Sequence, residues 1–317
     1  MGRTLALAAV AAVLLAPGTA PGQHAASGAT HKAHVGGFYI GAGLMQAWGN
    51  GGFTISGRDS TVGRFSSVLE FPMDGTYFVL EAGIEEIGPG FGAHLRYGSC
   101  GSLEGTTTDT DFAWDITSRE YIKSFTGTDG ENVFFTFDVS YRLHERADEG
   151  GGRSRLDVFA GYALQDAAFE MSDVHTIIQN GVPVDTWYGG VAATYDMEFR
   201  GVRVGVRGEM PIGRSSTISG TVAVLPYVKA DGFGQWIVRR KAFDHDATGW
   251  GFDCAVRYEY ALSENITLWA GAGYTHLRGA DGTDDQFYFT GKPIGTASLD
   301  ELESEYGFVM IGGELRF

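Results

Sequence analysis

The chain has 317 residues, with 39 acidic and 23 basic side chains and a formal net charge of −16 at pH 7. A nucleic-acid-binding surface needs clustered lysine and arginine, so this charge balance argues against nucleic acid as a partner. It would favour basic ligands near any acidic opening. The 48 glycines, 21 phenylalanines and 14 tyrosines, with only 8 prolines, favour many curved strands over helices.

Residues 1–26 have the pattern of a secretory signal peptide. Arg3 provides the positive start, and an apolar run over residues 5–16 ends at Pro17. The run is too short to span a bilayer as a helix, so we expect it to be cleaved, with a retained anchor helix as the alternative. Residues 27–35 are small and polar and are predicted to be a flexible lead-in.

The remainder, residues 36–317, alternates in hydrophobicity with the period of two that is typical of β-strands. Ten strands are predicted, at 37–48, 65–87, 91–97, 133–141, 156–171, 194–211, 218–228, 250–262, 266–277 and 307–317. Short turns at 88–90, 145–153, 213–216 and 263–265 alternate with long loops at 50–63, 99–129, 172–188, 231–248 and 278–304. This layout predicts an all-β fold, a ten-stranded antiparallel transmembrane barrel with a crown of surface loops at the cell exterior of a Gram-negative bacterium.

The last strand shows the alternation most clearly. Val309, Ile311, Leu315 and the terminal Phe317 share one face, which is predicted to meet lipid, while Arg316 shares the other face with Glu314. Further inward charges are expected at Asp138, Arg142, Arg203, Arg207, Glu209, Asp253, Arg257 and Glu259. In a narrow barrel such charges must pair or hold water, so we expect a filled lumen and no open diffusion pore.

Two cysteines, Cys100 and Cys254, are too few for a disulfide scaffold. A bridge between them is disfavoured because the alternation turns Cys254 toward lipid, whereas Cys100 lies where a strand is predicted to meet a loop.

The layout resembles that of the omptins, the ten-stranded outer-membrane surface proteases. Similar stretches are SSVLEF (66–71), GTTTDTD (105–111), VFAGYALQDAAF (158–169), GTVAVLPYV (220–228) and residues 250–275. The resemblance runs along nearly the whole mature chain, but most of these stretches are strand patterns. Only GTTTDTD contains residues to which the resemblance gives a catalytic role.

The resemblance implies two aspartates on one side of the barrel mouth and an Asp-His couple on the other, with a nucleophilic water between them. Asp109 and Asp111 match the aspartate pair. Two carboxylates at positions i and i+2 share a face, and their repulsion would raise one pKa. Where the couple should lie, near the top of the seventh strand, the sequence departs from the family and reads Gly-Gln-Trp at 234–236. The nearest substitute is His245, oriented by Asp244 or Asp246.

Two functions remain open at this point. The first is a non-catalytic surface barrel that serves adhesion or envelope integrity, because the Asp-His couple is not matched. The alternative is an omptin-type endopeptidase that cleaves near basic residues through Asp109, Asp111, His245 and Asp244; the resemblance implies no cofactor, with lipopolysaccharide as a requirement for activity. A small-solute channel is disfavoured by the filled lumen.

Several polar positions have further interpretations. Residues 244–246 could ligate a metal, and the acidic run 281–285 could attract calcium, although neither has the spacing of a dedicated site. Arg278 and the basic run 239–241 could bind lipopolysaccharide phosphates or extend to the membrane interface as ordinary basic side chains. The expected partners are therefore outer-membrane lipid, lipopolysaccharide and a basic peptide.

Overall fold

The computed structural model describes residues 37–116, 119–147 and 153–317. The predicted leader and lead-in lie outside these residues. Eleven strand segments make up the fold: β1 Phe38–Asp59, β2 Gly63–Pro72, β3 Gly75–Gly88, β4 Phe91–Ala113, β5 Glu120–Ala147, β6 Arg153–Gln179, β7 Val182–Pro211, β8 Ser216–Trp236, β9 Lys241–Ala261, β10 Ile266–Tyr288 and β11 Pro293–Arg316. A 3-10 turn, Ile237–Arg239, links β8 to β9. No helix within the described ranges is long and apolar enough to cross a membrane.

The segments form one closed antiparallel sheet. Apart from β2 and β3, which both pair with β1 and β4, each strand pairs with its neighbours along the chain, and β11 pairs with β1 so that Tyr39 lies opposite Arg316. The second barrel strand is interrupted at Met73 and Asp74: β2 pairs with the later part of β1, and β3 pairs with its earlier part. Eleven segments therefore fill ten positions, which confirms the predicted ten-stranded barrel.

The predicted long loops are mostly wrong, because the strands continue through them. β5 spans 28 residues and β7 spans 30, whereas crossing a bilayer needs about 9–11 tilted residues. The upper half of the barrel, which we define as the part remote from both termini, therefore extends beyond the membrane as paired strands. There the outer face meets water instead of lipid, so the apolar side chains turn to the interior, as Tyr195, Met197 and Phe199 do on β7. The lipid-facing pattern that marks a transmembrane strand therefore ends, and the sequence resembles a loop.

The predicted inside and outside faces are confirmed in the lower half. Leu315 is 50% exposed, and Val256 and Ile311 also point outward. Arg257 and Arg316 line the interior. Both cysteines are free.

Charged side chains fill the lower interior around a cavity of about 170 Å³. The guanidinium of Arg203 lies between two carboxylates, 2.9 Å from Asp138 and 2.8 Å from Asp253. Arg257 likewise bridges Glu81 at 2.6 Å and Glu314 at 2.8 Å. These pairs compensate charges that would otherwise be buried alone, as the inward-facing pattern predicts.

An apolar layer closes the lumen above the charges. Arg96 marks the boundary, with its guanidinium carbon 5.2 Å from the ring centre of Phe134 and 5.3 Å from that of Phe308. Above it the buried core continues to an aromatic cluster in the upper half. The members of this aromatic cluster are Phe53, Phe71, Phe169, Tyr195 and Phe243.

Candidate functional site

The two predicted aspartates lie side by side on the inner face of the upper barrel. On β4, Asp109 and Asp111 stand opposite Leu69 and Ser67 of β2. Directly opposed residues of an antiparallel pair share a face, and both of these β2 residues are buried. Ser67 acts to lower the pKa of both carboxyl groups, against the effect of their burial. The strand pairing therefore fixes the carboxylate pair that the sequence predicts.

Burial and mutual repulsion perturb this pair. Burial raises the pKa of Asp109 to about 8, with the Asp111 charge adding to the rise and Arg239 opposing it. Burial also raises the pKa of Asp111. Oδ1 of Asp109 is buried without a hydrogen-bond partner. Because one carboxyl group keeps its proton near neutral pH, the two carboxyl groups do not repel each other as two full charges.

His245 is enclosed in the core of the upper barrel. Its side chain on β9 is 0% exposed. Nδ1 lies 2.8 Å from the Tyr195 hydroxyl and Nε2 lies 3.3 Å from Oδ1 of Asp284. The Phe53 ring packs edge-on against the imidazole, with 4.5 Å between ring centres, and Phe243 contacts it at 5.1 Å. Tyr195 therefore occupies Nδ1 and neighbouring rings surround the imidazole, whereas Nε2 faces the Asp284 carboxylate without forming a hydrogen bond.

Two glycines of β8 explain why side chains from other strands fill the space around His245. Gly232 of β8 stands opposite His245, and a Cβ added to it would collide with the Tyr195 hydroxyl. A Cβ on Gly234 would collide with the ring of Phe243. The region where the resemblance predicts an Asp-His couple thus holds two aromatic side chains in place of β8 side chains.

A small pocket of about 40 Å³ lies beside these groups. Ser67, Lys241, Asp284 and Gln286 supply its polar lining, and Phe53, Phe243 and Trp236 are among its apolar walls. Gln286 links two of the polar residues, since its Nε2 donates to Asp284 at 2.5 Å and its Oε1 accepts from Lys241 at 3.1 Å. Burial and the nearby Arg239 lower the pKa of Lys241. The pocket can hold a water or a small polar group, but the imidazole does not line it.

Comparisons with known proteins agree on the fold. No family model and no curated protein matches the chain. Among solved structures, the outer membrane protease OmpT from Escherichia coli aligns with a TM-score of 0.75 and 12% identity, over 89% of this chain and 97% of that one. The chain has the fold of an outer-membrane β-barrel.

Other outer-membrane barrels align less closely. A major outer membrane protein from Thermus thermophilus gives a TM-score of 0.35 at 13% identity, over 90% of this chain and 100% of that one. OprG from Pseudomonas aeruginosa gives 0.38 at 11%, over 91% and 99%. The fold that the chain shares with OmpT supports a location in the outer membrane.

In this outer-membrane barrel, the structure corrects one predicted site residue. Asp244 and Asp246 are exposed, because strand alternation turns them away from the inward-facing His245. Asp246 instead pairs with Lys229 at 2.5 Å. The carboxylate beside the imidazole belongs to Asp284, on the neighbouring strand. The alternation of β10 could have identified it within the acidic run 281–285, since strand pairing places it opposite His245.

The basic residues near the strand ends make specific contacts. Arg239 stacks over Trp236, with 4.2 Å to the ring centre, and Arg278 pairs with Glu301 at 2.7 Å. In the part of the chain that the structure describes, no group of three or more His, Cys, Asp or Glu side chains is arranged to hold a metal ion. The predicted phosphate contacts stay a prediction.

Proposed function

We propose that this outer-membrane barrel is a non-proteolytic surface protein that mediates attachment through its tall upper half. The observation that carries the proposal is the complete enclosure of His245. A general base must reach the proton that it removes, directly or through one water. An imidazole hydrogen-bonded to Tyr195 and covered by Phe53 and Phe243 has no such access.

The orientation of the barrel supports a function outside the cell. Barrels of this class place short turns on the periplasmic side and long hairpins on the outer side. Both described termini lie at the short-turn end, at Gly37 and Phe317, so we propose that the upper half faces the cell exterior. Lipid and lipopolysaccharide would then surround the outward band that includes Leu44, Val256 and Ile311.

Attachment is favoured because the upper wall presents aromatic side chains to solvent. Trp187 on β7 is exposed near the end of the longest hairpin, as is Trp114 at the end of β4. Exposed Trp and Tyr side chains are typical anchors of binding surfaces because they bury a large area while losing little conformational freedom.

Omptin-type proteolysis is a second candidate, and one observation favours it. Asp109 and Asp111 keep the paired arrangement, and Asp284 reconstitutes a His-Asp contact with His245 from two adjacent strands. The pocket lined by Ser67 and Asp284 lies beside both groups. For catalysis the aromatic cover of His245 would have to move.

One assay separates the two candidates. Folded protein supplemented with lipopolysaccharide is incubated with a fluorogenic dibasic peptide, beside Asp111→Ala and His245→Ala variants whose folding is verified. We expect cleavage by the wild type to equal that of both variants. Cleavage by the wild type that both substitutions abolish would refute the non-proteolytic proposal.

Attachment is tested separately, on cells. Cells that display the wild type are compared with cells that display a variant in which residues 173–190 are replaced by an Asn-Gly turn. We expect the wild type to increase adherence to glycan-coated and cell-coated surfaces and the shortened variant to lose the increase. Equal adherence of wild-type and empty cells would contradict the attachment function.

A further inference from the structure

The hairpin between β6 and β7 carries a tryptophan that is both exposed and held in one orientation. Trp187 is 66% exposed. Its ring stacks on the imidazole of His175, with 4.0 Å between centres and 7° between planes. Because one indole face rests on this ring, the exposure belongs largely to the opposite face.

A carboxylate locks the two rings together. Oδ1 of Asp185 accepts hydrogen bonds from Nε2 of His175 at 2.9 Å and from Nε1 of Trp187 at 3.2 Å. The Asp185 side chain remains 80% exposed, so the carboxylate keeps capacity for further donors. A flat apolar surface and a hydrogen-bond acceptor are therefore fixed side by side before any ligand arrives.

The platform that His175, Asp185 and Trp187 form lies at a free edge of the sheet, because β6 still pairs with β5 at this height whereas β7 does not yet pair with β8. β7 begins at Val182, but its pairing with β8 begins only at Ala193, opposite Trp236. Between residues 182 and 191, every side chain except Val184 is exposed. The hairpin is nevertheless braced at its base, because Oδ1 of Asp173 accepts from the backbone N–H of Gly190 at 3.0 Å.

Strand pairing extends the platform into a row of three rings. Phe125 of β5 stands opposite His175 of β6, which stands opposite Trp187 of β7. Directly opposed side chains share a face, and the flanking Ser124 and Thr126 are buried, so this row faces outward. The row lies on the outer wall of the barrel, away from the carboxylate pair inside.

We propose that Trp187 and Asp185 form a binding site for a neutral pyranose sugar. This inference rests on the proposed attachment function and names its ligand class. A pyranose has a face of C–H groups, which packs on an aromatic plane, and a rim of hydroxyls, which donate to a carboxylate. Rigid rings lower the ordering cost of binding. The acidic group and the net charge of −16 disfavour sulfated or carboxylated glycans.

Two other roles of the group formed by Trp187, His175 and Asp185 predict different results in a sugar-binding test. A cross-strand Trp-His pair can simply stabilise a hairpin, in which case no sugar binds. The unpaired edge of β7 could instead receive an extended peptide through its backbone, and that interaction would depend little on the Trp187 side chain.

The test uses the full barrel in a zwitterionic detergent that contains no sugar. Mannotriose, cellotriose and chitotriose are titrated while tryptophan fluorescence and ligand saturation-transfer NMR are recorded, with a heparin tetrasaccharide as the anionic probe. We expect at least one neutral trisaccharide to bind with Kd of about 1 mM, and heparin to bind at least about tenfold more weakly. Heat-modifiable electrophoretic mobility confirms folding of every variant.

Substitutions test whether Trp187 and Asp185 form the sugar-binding site. Trp187→Ala should weaken binding at least about tenfold, and Asp185→Asn should weaken it several-fold without abolishing it. Tyr188→Ala is the matched control, because this neighbouring aromatic is 49% exposed and points to the opposite face of the strand. It should leave binding unchanged.

Three outcomes would overturn the inference: no binding of any neutral trisaccharide at about 10 mM, binding that Trp187→Ala leaves intact, or equal binding of heparin. If cells still adhere through the 173–190 hairpin while no trisaccharide binds, the sugar site is wrong and the attachment function stands. If displayed wild-type protein adds no adherence while Trp187-dependent sugar binding persists, the attachment function is wrong and the sugar site stands.

Discussion

The hydroxyl of Tyr195 lies 2.8 Å from Nδ1 of His245, inside the barrel and out of contact with water. The contact joins β7 to β9 across Gly232 of β8, where a side chain would displace the tyrosine. This histidine therefore acts as part of the core, bound to a phenol on one nitrogen and facing a carboxylate on the other.

His245→Ala should destabilise the barrel by about 2–4 kcal/mol, because it leaves a cavity and removes the partner of the buried Tyr195 hydroxyl. The unfolding midpoint in urea with lipid vesicles measures this. Asp244→Ala, an exposed neighbour on the same strand, should change stability by less than about 0.5 kcal/mol. Equal effects of the two substitutions would mean that His245 is not a core residue.

Arg203→Leu should destabilise the barrel by about 3–5 kcal/mol, because it removes the cation closest to both Asp138 and Asp253 and leaves the buried Asp138 with the more distant Arg207, at 3.7 Å. Arg200→Leu is the control: this arginine also pairs with two carboxylates, Glu198 and Asp231, but is 45% exposed. Exposed pairs contribute about 0–1 kcal/mol. The heat-modifiable mobility shift over a temperature series would distinguish the two variants. A loss of stability in Arg200→Leu as large as that in Arg203→Leu would contradict the stabilising role of the buried Arg203 pairs.

The carboxylate pair makes stability depend on pH. The pKa of Asp109 is raised from 3.8 to about 8, so between these values the folded state holds a proton that the unfolded state releases. Its contribution is therefore fully present below pH 3.8 and is lost as the pH rises through about 8. Asp109→Asn should leave the melting temperature unchanged near pH 4 and raise it near pH 8.

The control for that pH series is Asp244→Asn, which removes an exposed carboxylate of the outer wall. The change of slope should be confined to Asp109→Asn. A wild-type melting temperature that rises from pH 4 to pH 8, with the slope retained in Asp109→Asn, would refute the raised pKa.

Gly234→Ala should destabilise the upper half because its Cβ would enter the Phe243 ring, whereas Gly101→Ala meets no atom within 4 Å. Limited proteolysis of the folded barrel reports on the upper half alone. We expect Gly234→Ala to be cut faster than the wild type and Gly101→Ala to match it. The reverse order would show that β8 tolerates a side chain at this position.

The barrel should not conduct ions, because Phe134 and Phe308 enclose Arg96 in the layer that closes the lumen. Planar-bilayer recordings should show no steady openings for the wild type. Replacing both phenylalanines with alanine is the variant most expected to leak. Steady wild-type pores would contradict the closed lumen.

Alternation with period two was enough to predict the lower half of the barrel. It identified the lipid-facing side of Leu315 and Val256 and the inward side of Arg257 and Arg316, because lipid tolerates only apolar side chains on one face. The same alternation predicts the shared face of Asp109 and Asp111, since that relationship is local.

The partners of these residues come from strands distant in sequence, so only the closed tertiary structure determines them. His245 contacts Tyr195 and Asp284, and Arg203 bridges Asp138 and Asp253. The extent of the strands beyond the membrane was also decided there, because backbone pairing continues where the outer face meets water and the apolar side chains turn to the interior. Local alternation determines whether a side chain points inward or outward, whereas barrel closure and strand register determine which residues it contacts.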